Sequence, residues 1–123
     1  MILNNFIVNS DYTAAKQKGR YELSLSVPSV YISDGSTSYR YTSTITVPEG
    51  TYFENVNITT SLNNENYASN AVVIQQVWNY AAYISLYQKN ATTYELACTL
   101  TGFDYTTPAF NIKAVFNLSI SPF

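Results

Sequence analysis

Alternation with a period of two runs through most of this chain, and it restricts the fold more than any other feature. In residues 21–27, Tyr21, Leu23, Leu25 and Val27 share one face, and Glu22, Ser24 and Ser26 share the other. In 39–47, Tyr39, Tyr41, Ile45 and Val47 oppose Arg40, Thr42, Thr44 and Thr46. In 94–100, Tyr94, Leu96 and Cys98 oppose Glu95, Ala97 and Thr99. The last run is the longest: Phe110, Ile112, Ala114, Phe116, Leu118 and Ile120 against Asn111, Lys113, Val115, Asn117 and Ser119. Such strands bury one face and leave the other to water or a partner. Val56, Ile58, Thr60 and Leu62 alternate in the same way. Residues 51–62 therefore read as a strand rather than a short helix starting near Tyr52, because Asn and Thr are poor helix residues.

Turn chemistry falls between these runs. Asp34-Gly35 predicts a type I′ hairpin ahead of the Tyr39 strand. Pro48-Glu49-Gly50 closes that strand, and residues 89–92 join two strands as a short hairpin. Asn63-Asn64-Glu65-Asn66 reads as a surface loop, and 102–108 as a longer connection. The residues are of strand type: 9 Val, 9 Ile and 14 Thr are β-branched, and Tyr and Phe add 12 and 6. The sequence predicts an all-β chain. Its 123 residues read as a single antiparallel β-sandwich domain, jelly-roll-like, with eight or nine strands.

Several chemistries are poorly supplied. With no His, neither a Ser-His-Asp nor a Cys-His arrangement can form, and the common zinc and iron sites are missing their ligands. Cys98 shares its row with Leu96 and Leu100 and reads as a small core residue; alone, it forms no internal disulfide. The 8 carboxylates are scattered, with no calcium-loop spacing. We therefore expect no enzyme, no metal and no cofactor. Lys16-Gln17-Lys18-Gly19-Arg20 is the one basic cluster in a chain of net charge −2, so no nucleic-acid partner is expected. It reads as a charged flank that keeps the start of the Tyr21 strand unpaired. The opening eight residues lack a basic segment and a long apolar core, so no secretory signal is predicted. No apolar stretch approaches the roughly 20 residues of a spanning helix, so no membrane insertion is expected.

The tyrosines are the informative excess. If Ala82, Ile84 and Leu86 point inward, Tyr83 and Tyr87 point outward. Val73, Gln75 and Val77 oppose Val72, Ile74, Gln76 and Trp78, and Val115 lies on the outer row of the last strand. Tyr83, Tyr87, Val73, Val77 and Val115 are thus the candidate contact surface, fit for a homo-oligomer or another protein. A second candidate is a glycan site. Exposed aromatics stack on sugars, and Asn, Asp and Gln bond to them. Asp34, Asn66, Trp78, Tyr80 and Tyr105 are the residues expected to build it.

Low charge, many Tyr, Asn, Ser and Thr, and no disulfide make the chain similar to small structural proteins of bacteriophage virions. These are head fibres, decoration proteins and distal tail modules. Ser10-Asp11-Tyr12 through Lys16 resembles an S-D-Y-x-x-x-K opening found in some of them. The resemblance implies a virion role, with other virion proteins as partners; with no secretory signal predicted, synthesis in the host cytoplasm is expected, and a host surface glycan is the partner of the second candidate site. The resemblance names no binding residue.

Overall fold

The computed structural model describes residues 19–120. The opening that carries the phage resemblance lies outside the described residues, as does the basic cluster up to Lys18. Along the chain come β1 (Arg20–Val27), β2 (Tyr31–Ile32), β3 (Ser38–Thr46), β4 (Thr51–Thr60) and β5 (Asn66–Tyr67). Then follow β6 (Ala71–Val77), β7 (Tyr80–Asn90), β8 (Thr93–Gly102), β9 (Tyr105–Thr106) and β10 (Phe110–Ile120). The alternating runs have become the long strands. The strand count is ten among the described residues, against the eight or nine expected. Three of these, β2, β5 and β9, hold two residues each.

Two four-stranded antiparallel sheets carry the fold, in the orders β1-β10-β4-β5 and β3-β8-β7-β6. A two-stranded ladder joins β2 to β9. The chain passes from β1 in the first sheet to β3 in the second and back to β4. β6, β7 and β8 then run as a meander before β10 returns to the first sheet. Both sheets turn their apolar rows to one hydrophobic cluster. Ile58, Ile112 and Phe116 come from the first sheet; Ile84, Leu86, Tyr94 and Leu96 come from the second. Rings interlock between the sheets: Tyr94 of β8 meets Phe53 of β4 edge-on at 5.2 Å and Phe116 of β10 at 5.9 Å. At the lateral edge, the Ser43 hydroxyl of β3 donates to the Ser24 carbonyl of β1 at 2.7 Å.

Three register shifts interrupt the described ladders: one lies beside the β7–β8 hairpin turn, between Gln88 and Asn90, and the other two fall within β4 and β6. In β4, Asn55 and Val56 together face the single residue Phe116 of β10, and Asn55 has φ 56°. Asn tolerates this left-handed geometry better than most residues. The extra residue inverts the side-chain parity, so Phe53 and Val56 both turn to the core although three positions apart. In β6, a second shift falls between Ile74 and Val77. Val72 and Ile74 point inward before it, and Val77 packs on the core after it.

The Asp34-Gly35 turn differs from its expectation. A type I′ turn needs positive φ at both central residues, whereas the described positive-φ residues are Gly50, Asn55, Asn64 and Asp104. The Asp34 carboxylate instead accepts the Ser36 N–H at 2.9 Å, and Thr37 N–H bonds back to the Asp34 carbonyl at 3.3 Å. This aspartate-capped turn satisfies the backbone without the left-handed pair. It leaves β2 free to pair with β9 rather than with β3.

Candidate functional site

The outer face of the β3-β8-β7-β6 sheet is ordered by its register. One cross-strand row reads Arg40, Thr99, Tyr83, Val73. The next reads Thr42, Ala97, Ser85, Ala71. A third brings Thr44, Glu95 and Tyr87 together. The middle row holds only small side chains, so it sinks between its neighbours. The result is a shallow groove of about 280 Å³ lined by Arg40, Ala71, Val73, Tyr83, Ser85, Ala97 and Thr99. Tyr83 is 48% exposed and Val73 57% exposed, side by side. Ala97 forms the buried floor.

The row beyond the floor is polar and closed. Glu95 is buried on this outer face, covered by its own partners. The Tyr87 hydroxyl donates to Glu95 Oε2 and accepts from Arg40 Nη2 at 2.7 Å. Arg40 Nη2 also reaches Glu95 Oε2 at 3.3 Å, and Lys89 Nζ lies 3.4 Å from Oε1. A carboxylate out of water needs such neighbours, or it takes up a proton. The Tyr87 hydrogen bond, helped by Lys89 and Arg40, holds the Glu95 carboxyl below its usual range despite burial. Conversely, the bond to Glu95 raises the Tyr87 phenol.

Of the five candidate contact residues, Tyr83, Tyr87 and Val73 share this face. Tyr83 and Val73 are free at the surface; Tyr87 is half-buried with its hydroxyl engaged. Val77 does not join them, because the β6 bulge turns it to the core. Val115 belongs to the other sheet, between Glu22 and Asn57 in register. Arg40 and Glu95 were not picked out by the sequence reading. The signal was present: a Glu in an outer row of small residues, with Tyr and Lys on the facing hairpin strand.

A second exposed cluster caps one end of the molecule. There the turn after β6 meets the turn between β8 and β9. Trp78 is 77% exposed and meets Phe103 edge-on at 5.0 Å. Phe103 N–H bonds to the Asn79 carbonyl at 3.2 Å, and Asn79 Nδ2 donates to the Phe103 carbonyl at 2.9 Å. Gly102 is what lets the turns approach: a Cβ there would lie 2.5 Å from the Asn79 carbonyl oxygen. The Tyr31 hydroxyl donates to Asp104 Oδ1 at 2.9 Å, which raises the Tyr31 phenol.

The glycan candidates divide across this region. Trp78 lies at its centre. Tyr80 is a correction: it is buried, stacked on Tyr105 at 5.0 Å, and burial pushes its phenol up. Its position in β7 opposite Gly102 explains this, since the ring fills the end of the core. Tyr105 is half-buried against the core. Asp34 is exposed with its carboxylate engaged in its own turn, and Asn66 sits on β5 paired with Thr59. Asn79 and Phe103 lie in the 78–80 and 102–105 loops where the sequence places exposed aromatics and amides, and Tyr31 was missed; only the fold brings the three to Trp78.

No family model, curated protein or solved structure matches this chain. The chemistry must therefore be read from the residues. Cys98 is fully buried, and burial pushes its thiol up to about 12, far from a nucleophile's range. Among the described residues no three His, Cys, Asp or Glu side chains gather to hold a metal. No described helix is long and apolar enough to cross a membrane. What the surface does offer is contact area: a Tyr/Val groove on one sheet and an aromatic pair at one end.

Proposed function

We propose that the chain is a non-enzymatic structural subunit of a phage-type particle, docking through the outer face of the β3-β8-β7-β6 sheet. The observation that carries the reading is the Tyr83–Val73 pair, in direct register and about half exposed on each member. Tyr buries much area with little rotamer entropy and keeps a polar tip for a partner. The buried Ala97 beside it gives a partner side chain a place to seat. Tyr87, Arg40 and Glu95 brace the groove, so little ordering is left for the moment of contact. A second copy of the chain is the first partner, because a sandwich with apolar residues on an outer face can cover them in a closed symmetric oligomer. Other virion proteins are the further partners.

In this reading the two sheets form one β-sandwich. Its crossings from β1 to β3 and from β8 to β10 follow a jelly roll, with the β6-β7-β8 meander replacing the second Greek key. The protein is made in the host cytoplasm and resides in the virion. It requires no cofactor, nucleic acid or membrane insertion. Sedimentation over a wide concentration range, together with mixing against host particles, tests the proposal. Association that Tyr83→Ala weakens supports it. A chain that stays monomeric at high concentration and ignores the particle refutes it.

A further inference from the structure

At the end of the molecule where the 78–79 turn meets the 102–104 turn, we propose a binding platform for a neutral pyranose glycan. Trp78 and Phe103 form its floor, and Asp104, Asn79 and Tyr31 form its rim. The platform lies beyond the end of β6 and does not depend on the reading of the sheet face.

The exposure of the rings is built in. The Asn79–Phe103 pair of hydrogen bonds locks one turn to the other, and Gln75 Nε2 adds a bond to the Trp78 carbonyl at 3.4 Å. Glycine at 102 is required for that approach. An indole held out in water forgoes the stabilisation of burial. Phe103 meets it at 70°, so the two rings form a corner rather than a flat sheet. One face of a pyranose presents C–H groups and stacks on an indole, while its rim presents hydroxyls. Those hydroxyls find acceptors here. Asp104 Oδ1 accepts the Tyr31 hydroxyl hydrogen bond, and its other oxygen accepts no hydrogen bond from the described residues. The Asn79 side-chain oxygen likewise accepts none from them, its Nδ2 being the engaged atom.

Size and charge select the occupant. Two rings with this exposure present roughly 300 Å², well short of the ~800 Å² that each partner of a stable protein interface buries. The patch suits a small ligand. The charge beside it is acidic: Asp104, with Asp34 next to Ser33, whose carbonyl receives the Asp104 N–H at 3.2 Å. Arg40 and Lys89 are committed to Glu95. Arg20 and Lys113 belong to the other sheet. Among the described residues no cation is available to an anionic sugar, so a neutral one is favoured.

Trp78 is the sole tryptophan, so its emission reports on the platform alone. The probes are defined gluco-, galacto-, manno- and N-acetylglucosamine oligosaccharides, with sialyllactose as the anionic comparator, followed by a printed array of neutral glycans. A saturable emission change with a neutral glycan, and binding weaker by about tenfold or more for sialyllactose, is expected. By calorimetry, Trp78→Ala should abolish binding and Trp78→Phe should retain part of it. Asp104→Asn should weaken it about tenfold. Tyr83→Ala should leave it intact, which separates this site from the sheet face. Circular dichroism establishes that each variant is folded. An array without a neutral hit, binding undiminished in folded Trp78→Ala, or a Trp78→Ala defect confined to particle docking would each overturn the proposal.

Discussion

Phe116 sits where four aromatic side chains converge. It is 1% exposed, stacks on Tyr21 at 6.0 Å, and meets Phe53 and Tyr94 at 6.4 and 5.9 Å. Removing the ring leaves a cavity that these partners, tied to three other strands, cannot close. Phe116→Ala should cost about 3–5 kcal/mol, read by chemical denaturation. Glu95 makes a prediction about pH. The fold holds its carboxyl below the usual range, first through Tyr87. A group with a lowered folded pKa contributes stability that is full above its unfolded pKa and is lost as pH falls through the folded value. Melting temperature should therefore drop as pH falls through and below the ordinary carboxylate range, and Glu95→Gln should drop less. Asp34, also lowered by its bonds to Ser36, remains in both proteins and cancels in the comparison. Equal slopes for the two proteins would mean that Tyr87, Arg40 and Lys89 do not stabilise the carboxylate. Tyr87→Phe, which removes the largest cause, should flatten the slope in the same direction.

Strands were legible in this sequence wherever their parity stayed constant. The inward rows of β1, β8 and β10 are the ones that alternation predicts, down to Leu23, Leu96 and Phe116. The reading failed at the β6 bulge, which moves Val77 from the outer face to the core. A single inserted residue is invisible in a run such as Val73 to Val77, because both parities place an apolar residue inside. The β4 bulge left a trace, since Phe53 and Val56 cannot share a face in an unbroken strand. Asn55 can be tested directly. Its φ of 56° lies where β-branched residues are strained. Asn55→Val should cost about 1–2 kcal/mol, and Asn55→Gly should be neutral within about 0.5 kcal/mol. Equal costs would place the strain elsewhere. Sheet order was not legible at all. The β1–β10 pairing joins the two ends of the described chain, and faces rather than local signals choose it. The site shared that limit: Tyr83 and Val73 were readable from alternation, whereas Phe103 and Trp78 meet only through the docking of two turns.

At the scale of the whole molecule, the question is which outer face makes contact. The first sheet offers Ser24, Ser26, Thr59, Asn111 and Lys113 around a shallow groove, and its exposed ring, Tyr52, stands apart from that groove, opposite Ser119. The second offers Tyr83 and Val73 over a floor of small residues. Apolar area withdrawn from water drives association, so the second face should be the docking one. A double variant at Tyr83 and Tyr87 would confuse the test, because losing the Tyr87 hydroxyl also strips Glu95 of its strongest partner. The cleaner pair is Tyr83→Ala with Val73→Ser. Both side chains are exposed in the single chain, and neither takes part in the Glu95 cluster. The melting temperature of the monomer should move by no more than a few degrees. The concentration at which the oligomer forms should rise about tenfold or more, as expected when central aromatic contact is lost. Sedimentation of wild type and variant side by side gives the answer. Identical mass distributions at every concentration would remove this face from the assembly, and a large fall in monomer stability would mean that Tyr83 packs as core rather than as surface.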